Sequence, residues 1–197
     1  RYYNFTFIYE ELIDQSSLNN FVTYDYYSLI KILLKNKDID VNLMKKELNE
    51  EKTALYTAVK NKRIDIIKFL LSCPNINTNI GYKFKDNGEI KSELSPLHSA
   101  IEINDIEIVK LLLSSKITDI NSVNIITTWR TKQIKTALFY AIELGNIEIV
   151  RVLLSHDKID INFLNTLDTI LGKKYVEKRT ALFIACQKGN KDIIKLL

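Results

Sequence analysis

Pairs of adjacent leucines recur along the chain, at positions 33–34, 70–71, 112–113, 153–154 and 196–197. Ahead of each pair, apolar residues are spaced three and four apart with charged residues between them, as at Ile147, Val150 and Leu153. This spacing puts the apolar side chains on one face of a helix. The pattern therefore predicts an amphipathic helix that ends at each leucine pair.

A shorter apolar stripe precedes each of the last four of these helices. It follows a hydroxyl residue that can accept hydrogen bonds from the free N–H groups at a helix start; these residues are Thr53, Ser95, Thr136 and Thr180. Gly-Asn pairs separate the two stripes at Gly145 and Gly189, and Gly tolerates the left-handed backbone that a tight turn requires. We therefore predict two antiparallel helices around each turn, although Lys62 occupies this place in one copy.

These features return at fixed offsets, which identifies internal repeats. An Asn follows each of the first four leucine pairs by eight residues, at Asn42, Asn79, Asn121 and Asn162. Length differences fall in segments 43–52, 80–94, 122–135 and 163–179, which we call fingers and expect to be surface loops. We divide the chain into repeats at 16–52, 53–94, 95–135, 136–179 and 180–197, the last one incomplete. Together they form one predicted domain over 1–197, in which 1–15 is unassigned.

The segment Ser95-Pro96-Leu97-His98-Ser99-Ala100 and the segment from Gly145 to Leu154 resemble the first and second helices of an ankyrin repeat. The resemblance covers residues 53–197 closely and 16–52 more loosely, and the chain is similar to the Asn- and Ile-rich ankyrin arrays of protist proteins. It implies an all-α solenoid of stacked antiparallel helix pairs with extended finger loops. It also implies that His98 is structural and bonds backbone between repeats.

The chain carries no motif of a known catalytic or cofactor site. It lacks a Gly-rich phosphate loop, Cys-x-x-Cys, His-Glu-x-x-His and Gly-x-Ser-x-Gly. We therefore expect no enzyme activity, no cofactor and no metal. No apolar run approaches the roughly 20 residues of a membrane span, and Cys73 and Cys186 lie in separate apolar contexts typical of reduced thiols. These features favour an intracellular, cytoplasmic protein.

The resemblance implies that a protein partner binds across the concave face formed by the first helices and the fingers. By position, the exposed first-helix residues are Lys60, Glu102, Glu143 and Gln187, and the residues just before the hydroxyl are Lys52, Leu94, Lys135 and Arg179. The finger 122–135 adds Trp129, Arg130 and Lys132, and Trp and Arg are enriched in binding hot spots. The alternative for Trp129 is that it packs beneath a long loop and stiffens it.

Two other functions are alternatives. Trp129 would stack on a base while Arg130 and Lys132 bind phosphates in a nucleic-acid sensor, although a net charge of +4 gives this alternative little support. The array would otherwise be the targeting part of a larger enzyme that lies outside this sequence. The apolar residues between Ile193 and Leu197 also predict a C-terminal edge that further repeats or a second copy cover.

Overall fold

The computed structural model describes residues 17–36, 38–169 and 175–197. Within these ranges, ten helices form five pairs: α1 (Ser17–Thr23) with α2 (Tyr27–Leu33), α3 (Ala54–Lys60) with α4 (Ile64–Leu71), α5 (Pro96–Glu102) with α6 (Ile106–Leu113), α7 (Ala137–Leu144) with α8 (Ile147–Leu154), and α9 (Ala181–Lys188) with α10 (Lys191–Leu196). Four hairpins separate the pairs: β1 (Lys45–Glu47) with β2 (Glu50–Lys52), β3 (Tyr82–Asp86) with β4 (Glu89–Leu94), β5 (Val123–Thr127) with β6 (Thr131–Thr136), and β7 (Asn165–Thr169) with β8 (Val176–Arg179). The unassigned segment 1–15 lies outside the described residues.

The four hairpins join into one antiparallel sheet of eight strands, in chain order from β1 to β8. Neighbouring hairpins pair directly; for example, Glu51 lies opposite Lys83, and Gln133 lies opposite Leu167. The prediction of an all-α fold with finger loops is therefore wrong. The physical reason is that an extended finger has unpaired backbone N–H and C=O groups, and the next finger is close enough to satisfy them.

The hydroxyl residues predicted to begin the first helices are confirmed as N-terminal caps. The side-chain oxygen of Thr136 accepts a hydrogen bond from the backbone N–H of Phe139, three residues on. Thr53, Ser95 and Thr180 make the same bond at the starts of α3, α5 and α9. Each cap satisfies a donor that has no partner within the helix.

The turn between the two helices of a pair is left-handed, as predicted for Gly145 and Gly189, whose φ angles are 76° and 68°. Lys62, the exception in residue type, adopts the same conformation with φ 54°, and Asp25 does so in the first repeat with φ 62°. The N–H of Asn146 then donates to the carbonyl of Ala141 at 3.0 Å, and the other turns close in the same way. Backbone geometry therefore fixes the turn even where the residue is not Gly.

The core lies between the stacked helix pairs. First helices pack on first helices along the array, and α4, α6, α8 and α10 pack successively on one another. Small side chains at the first-helix contacts, such as Ala58, Ala100 and Ala141, are fully buried and allow close approach. Leu70, Leu112 and Leu153 of the second helices are fully buried as well.

The recurring Asn residues link each repeat to the next. The side-chain Nδ2 of Asn121 donates to the carbonyl of Lys158 at 2.8 Å, and its Oδ1 accepts from the N–H of Asp160 at 2.9 Å. Asn42 and Asn79 make the same two bonds to the repeats that follow them. Together with the sheet, these bonds hold adjacent fingers and helices in a fixed register.

Candidate interaction surface

A groove separates one face of the finger sheet from the first helices. Side chains cross it at several points: Lys45 of β1 donates to Asn20 of α1 at 2.6 Å, and Lys135 of β6 binds Glu143 of α7 at 2.6 Å. We call the space bounded by the first helices and this face of the sheet the groove. It is bounded by the first helices and the fingers, the elements on which sequence reasoning placed the partner.

The predicted first-helix residues are largely engaged with one another or with the fingers. Lys60 and Glu102 form an ion pair between adjacent repeats at 2.7 Å. Glu143 instead forms an ion pair with Lys135, the residue that precedes Thr136. Gln187 is exposed on α9. This row of positions therefore presents internal pairs rather than a run of free charges.

The predicted residues before the hydroxyl form the base of the sheet. Lys52 lies opposite Tyr82, which in turn lies opposite Leu94. The three cations each bind a carboxylate: Lys52 pairs with Glu50, Lys135 with Glu143, and Arg179 with Glu177. A polyanion therefore meets neutralised pairs at the base of the groove instead of the basic row that the sequence suggested.

The groove contains an open cavity of about 460 Å³ between the first finger and the helices α1 and α3. Three tyrosines line it, namely Tyr24, Tyr56 and Tyr82, with Asn20 and Asn61 among the polar residues. The rings of Tyr56 and Tyr82 stack with their centroids 5.3 Å apart. Sequence reasoning missed this site. The repeat register could have found it, since Tyr56 occupies the position that His98 and Phe139 hold in later repeats.

Burial and ion pairing shift the pKa values of two tyrosines and two carboxylates in this cavity. Burial raises the pKa of Tyr82 to about 12, and the hydrogen bond from its hydroxyl to Glu50 adds to the rise. Burial also raises the pKa of Tyr56. The hydrogen bond from Lys52 lowers the pKa of Glu50, and that from Lys45 lowers the pKa of Glu47. Tyr56 and Tyr82 are therefore neutral hydroxyls beside the ionised, paired carboxylates of Glu47 and Glu50.

The tip of the third finger is a short, internally bonded turn that carries Trp129. The side-chain oxygen of Thr128 accepts from the N–H groups of Arg130 and Thr131 at 3.2 and 3.0 Å, and the N–H of Thr128 donates to the carbonyl of Thr131 at 2.7 Å. The alternative that Trp129 packs beneath a loop is wrong, because 68% of it is exposed. The Arg130 guanidinium lies over its ring, 3.8 Å from the ring centre.

Lys132, the third predicted residue of this finger, is exposed one residue beyond the turn. It lies opposite Thr127 within its hairpin and opposite Asp168 of the next finger. Arg130 thus places one cation on the exposed indole, and Lys132 adds a second on the adjoining strand β6. The structure groups these three residues at one tip, away from the paired charges at the base of the groove.

Comparison with family models identifies the repeats. A model described as ankyrin repeats in three copies matches residues 9–82 and 80–165, and one described as ankyrin repeats in many copies matches residues 138–197. The chain is an ankyrin-repeat protein. No curated protein matches it. Ankyrin repeats are generally protein–protein interaction modules.

Two structural findings complete the description of this ankyrin array. The ring of His98 lies 3.3 Å from the backbone carbonyl of Lys135, the last residue of the same repeat. His98 therefore bonds backbone as the resemblance implied, although at the end of its own repeat rather than between repeats. In the described ranges, every helix is too short or too polar to cross a membrane.

Proposed function

We propose that this ankyrin array is a non-catalytic module that binds another protein through the groove and the tips of its fingers. The residues proposed to contact the partner are those along the groove and at the third tip: Lys52, Lys60, Leu94, Glu102, Lys135, Glu143, Arg179, Gln187, Trp129, Arg130 and Lys132. The tyrosine-lined cavity between the first finger and the helices α1 and α3 extends this surface.

The exposed Trp129 is the observation that carries the proposal. A large aromatic side chain that is 68% exposed gains little for folding, since burial is what makes it stabilising. The turn that presents it is closed by the Thr128 side chain, so little backbone conformational entropy would be lost on binding. Rigid aromatic anchors with a neighbouring Arg are the residues that dominate measured interface energies.

A photo-crosslinking residue placed at position 129 would capture the partner. The matched control is the same residue at position 110, where Lys110 is exposed on the second helix α6. We expect crosslinks to a defined protein from 129 and not from 110. With that protein purified, Trp129→Ala should weaken binding by at least tenfold, about 1.4 kcal/mol, while Lys110→Ala leaves it unchanged. Equal crosslinking at both positions, together with full affinity of Trp129→Ala, would refute the proposal.

The paired cations of the groove speak against the nucleic-acid alternative. Binding of a phosphate backbone depends on free Lys and Arg side chains and falls steeply with salt. The combined variant Glu50→Gln, Glu143→Gln and Glu177→Gln would release the cations that these carboxylates neutralise. We expect this variant to bind a single-stranded oligonucleotide at low salt while the unmodified chain does not. Tight oligonucleotide binding by the unmodified chain that Trp129→Ala abolishes would favour the sensor instead.

A further inference from the structure

The net charge of the molecule is concentrated in its last two fingers. The first and second fingers each hold three basic and three acidic residues, so each is neutral. The third finger holds three basic residues and no acidic one, and the fourth holds four basic and two acidic residues. These two fingers together carry a charge of +5, against +4 for the whole chain. Electrostatic attraction of a partner therefore centres on the third and fourth fingers.

The strand register shows which side chains point away from the groove. Lys135 of β6 crosses the groove to bind Glu143 of α7. Side chains alternate between the two faces along a strand, so Ile134 and Lys132 point to the opposite, outer face. Residues directly opposite in neighbouring strands share a face. The register therefore places the following side chains on the outer face of the last two fingers: Ile125 and Thr127 of β5, Lys132 and Ile134 of β6, Thr166 and Asp168 of β7, and Val176 and Lys178 of β8.

On the first two fingers the same outer face is covered by ion pairs. Ile125 lies opposite Glu93, and the row continues through Lys83, Glu51 and Lys46. Lys83 binds Glu93 at 3.2 Å, and Lys46 binds Glu51 at 3.9 Å. A charged partner therefore meets charges that already neutralise one another on this half of the sheet.

The last two fingers present unpaired cations on this face. Lys132 and Lys178 are exposed, and neither forms an ion pair with another residue that the structure describes. Asp168 lies opposite Lys132, yet one oxygen of its carboxylate is buried without a hydrogen-bond partner. Lys178 lies opposite Thr166, on the last strand of the described sheet. The positive charge of these fingers is therefore available to a partner on the outer face.

Aliphatic side chains lie beside these cations. Val176 is 45% exposed on β8. Ile125 and Ile134 lie opposite each other, are partly buried and stand outside the hydrophobic core of the helices. We call the surface formed by Ile125, Lys132, Ile134, Val176 and Lys178 the outer patch. It combines an apolar strip with two free cations.

We propose that the outer patch binds an acidic segment of a partner polypeptide. Separate carboxylates of that segment meet Lys132 and Lys178, which stand two strands and two residues apart in the sheet, about 12 Å. Its aliphatic residues cover Val176 and the two isoleucines. The inference goes beyond the proposed function, because the outer patch lies on the opposite face of the sheet from the groove. The two surfaces share only Lys132.

A nucleic-acid strand suits the outer patch less well than an acidic peptide does. It carries a phosphate at every nucleotide, so a phosphate would lie close to Asp168 between the two cations. Its bases gain most from stacking on aromatic rings, whereas the outer patch offers aliphatic side chains. A peptide can place a neutral residue next to Asp168 and aliphatic residues on the apolar strip. The combination of charges and apolar groups therefore favours a polypeptide.

The test uses two displayed peptide libraries with the same pattern of aliphatic and polar positions. The polar positions hold Asp and Glu in one library and Asn and Gln in the other. A single-stranded oligonucleotide is the third probe. We expect binders from the acidic library alone. Their affinity should fall at least tenfold from about 0.1 M to about 1 M salt, over which the screening length falls from about 10 to about 3 Å.

Two double variants with the same loss of charge locate the binding. Lys132→Gln with Lys178→Gln removes both cations of the outer patch, whereas Lys46→Gln with Lys83→Gln removes two paired cations on the same face. We expect the first to weaken a recovered acidic peptide at least tenfold and the second less than twofold. Lys132→Arg with Lys178→Arg keeps the charge and should keep the affinity. Val176→Thr, which replaces a methyl group by a hydroxyl, should weaken binding at least threefold.

Three results would overturn the proposal, once thermal unfolding has shown that each variant keeps the parental fold. The first is equal binding by acidic and amide peptides, or equal losses in the two Gln double variants. The second is an oligonucleotide that binds more tightly than any acidic peptide and is lost in Lys132→Gln with Lys178→Gln, which would assign the outer patch to a polyanion. The third is a dimer in sedimentation that the same variant dissociates, which would assign the outer patch to a second copy of the chain.

Discussion

Acidification should destabilise the array through His98, and the size of the effect follows from its surroundings. His98 is fully buried. Its Nε2 lies 3.3 Å from the carbonyl oxygen of Lys135, which can only accept, so Nε2 carries the proton. Its Nδ1 therefore accepts from the hydroxyl of Ser95 at 2.8 Å. Burial lowers the pKa of His98 to about 4, against an ordinary value of 6.5, and the Lys135 carbonyl only partly offsets it.

The sign of the pH effect follows from which state binds the proton. Between pH 6.5 and pH 4 the unfolded chain protonates this His while the folded chain does not, so the free energy of unfolding falls as the pH falls. Stability is complete above the unfolded pKa and is lost progressively below it. With the two pKa values given, the loss from pH 7 to pH 5 is about 2 kcal/mol.

Urea denaturation at pH 7, 6 and 5 measures this loss, and His98→Phe identifies its source. Phe occupies the equivalent position in the next repeat, at Phe139, so the substitution suits the fold, although it removes two hydrogen bonds and lowers stability at pH 7. The variant should show almost no change between pH 7 and pH 5. His156→Gln, at the only other His, should keep the full dependence. A flat profile for the parent chain, or an unchanged slope in His98→Phe, would show that the reasoning is wrong.

Two further predictions concern the turns and the links between repeats. Lys62→Gly should raise the free energy of unfolding by about 0.5–1 kcal/mol, because it relieves a left-handed backbone, and Gly145→Lys should lower it by a similar amount in the same denaturation assay. Asn121→Ala should cost about 1–2 kcal/mol through two lost hydrogen bonds. Asn162→Ala should cost less, since the described part of the chain gives that side chain no matching pair of bonds; equal losses would contradict the assigned role.

The sequence was sufficient to predict the helices, because their signals are local. The caps, the left-handed turns and the apolar stripes each depend on residues within one repeat. Even the exception at Lys62 adopts the turn geometry that its place in the repeat requires. The repeat register then carried the prediction from one copy to the next.

The sheet could not be predicted in the same way. The strand Lys45–Glu47 is short and wholly charged, a composition with weak strand preference. Its hairpin partner Glu50–Lys52 is equally charged and pairs in turn with the next finger, about thirty residues further along the chain. The alternating pattern of Tyr82–Asp86, with Tyr and Phe between lysines, was a better signal, but it indicates a strand without naming its neighbour.

The sequence predicted which residues lie on the candidate surface, but not which of them are paired or exposed. Sequence reasoning found Lys135 and Arg179 by their repeat position, yet it treated them as free cations. Their partners, Glu143 and Glu177, follow from side-chain direction, which composition does not specify. The exposure of Trp129 likewise depends on the turn closed by Thr128. The decision between a packed and an exposed Trp needed three-dimensional structure.

The eight-stranded sheet also governs how the array deforms under load. In a stack held only by helix packing, the angle between adjacent repeats can change, and the whole array can bend. Here backbone hydrogen bonds tie each finger to the next, and the Asn42, Asn79 and Asn121 side chains tie the loops after the second helices. Bending the array open requires these ties to stretch or break. The sheet therefore stiffens the array and restrains its curvature before a partner binds.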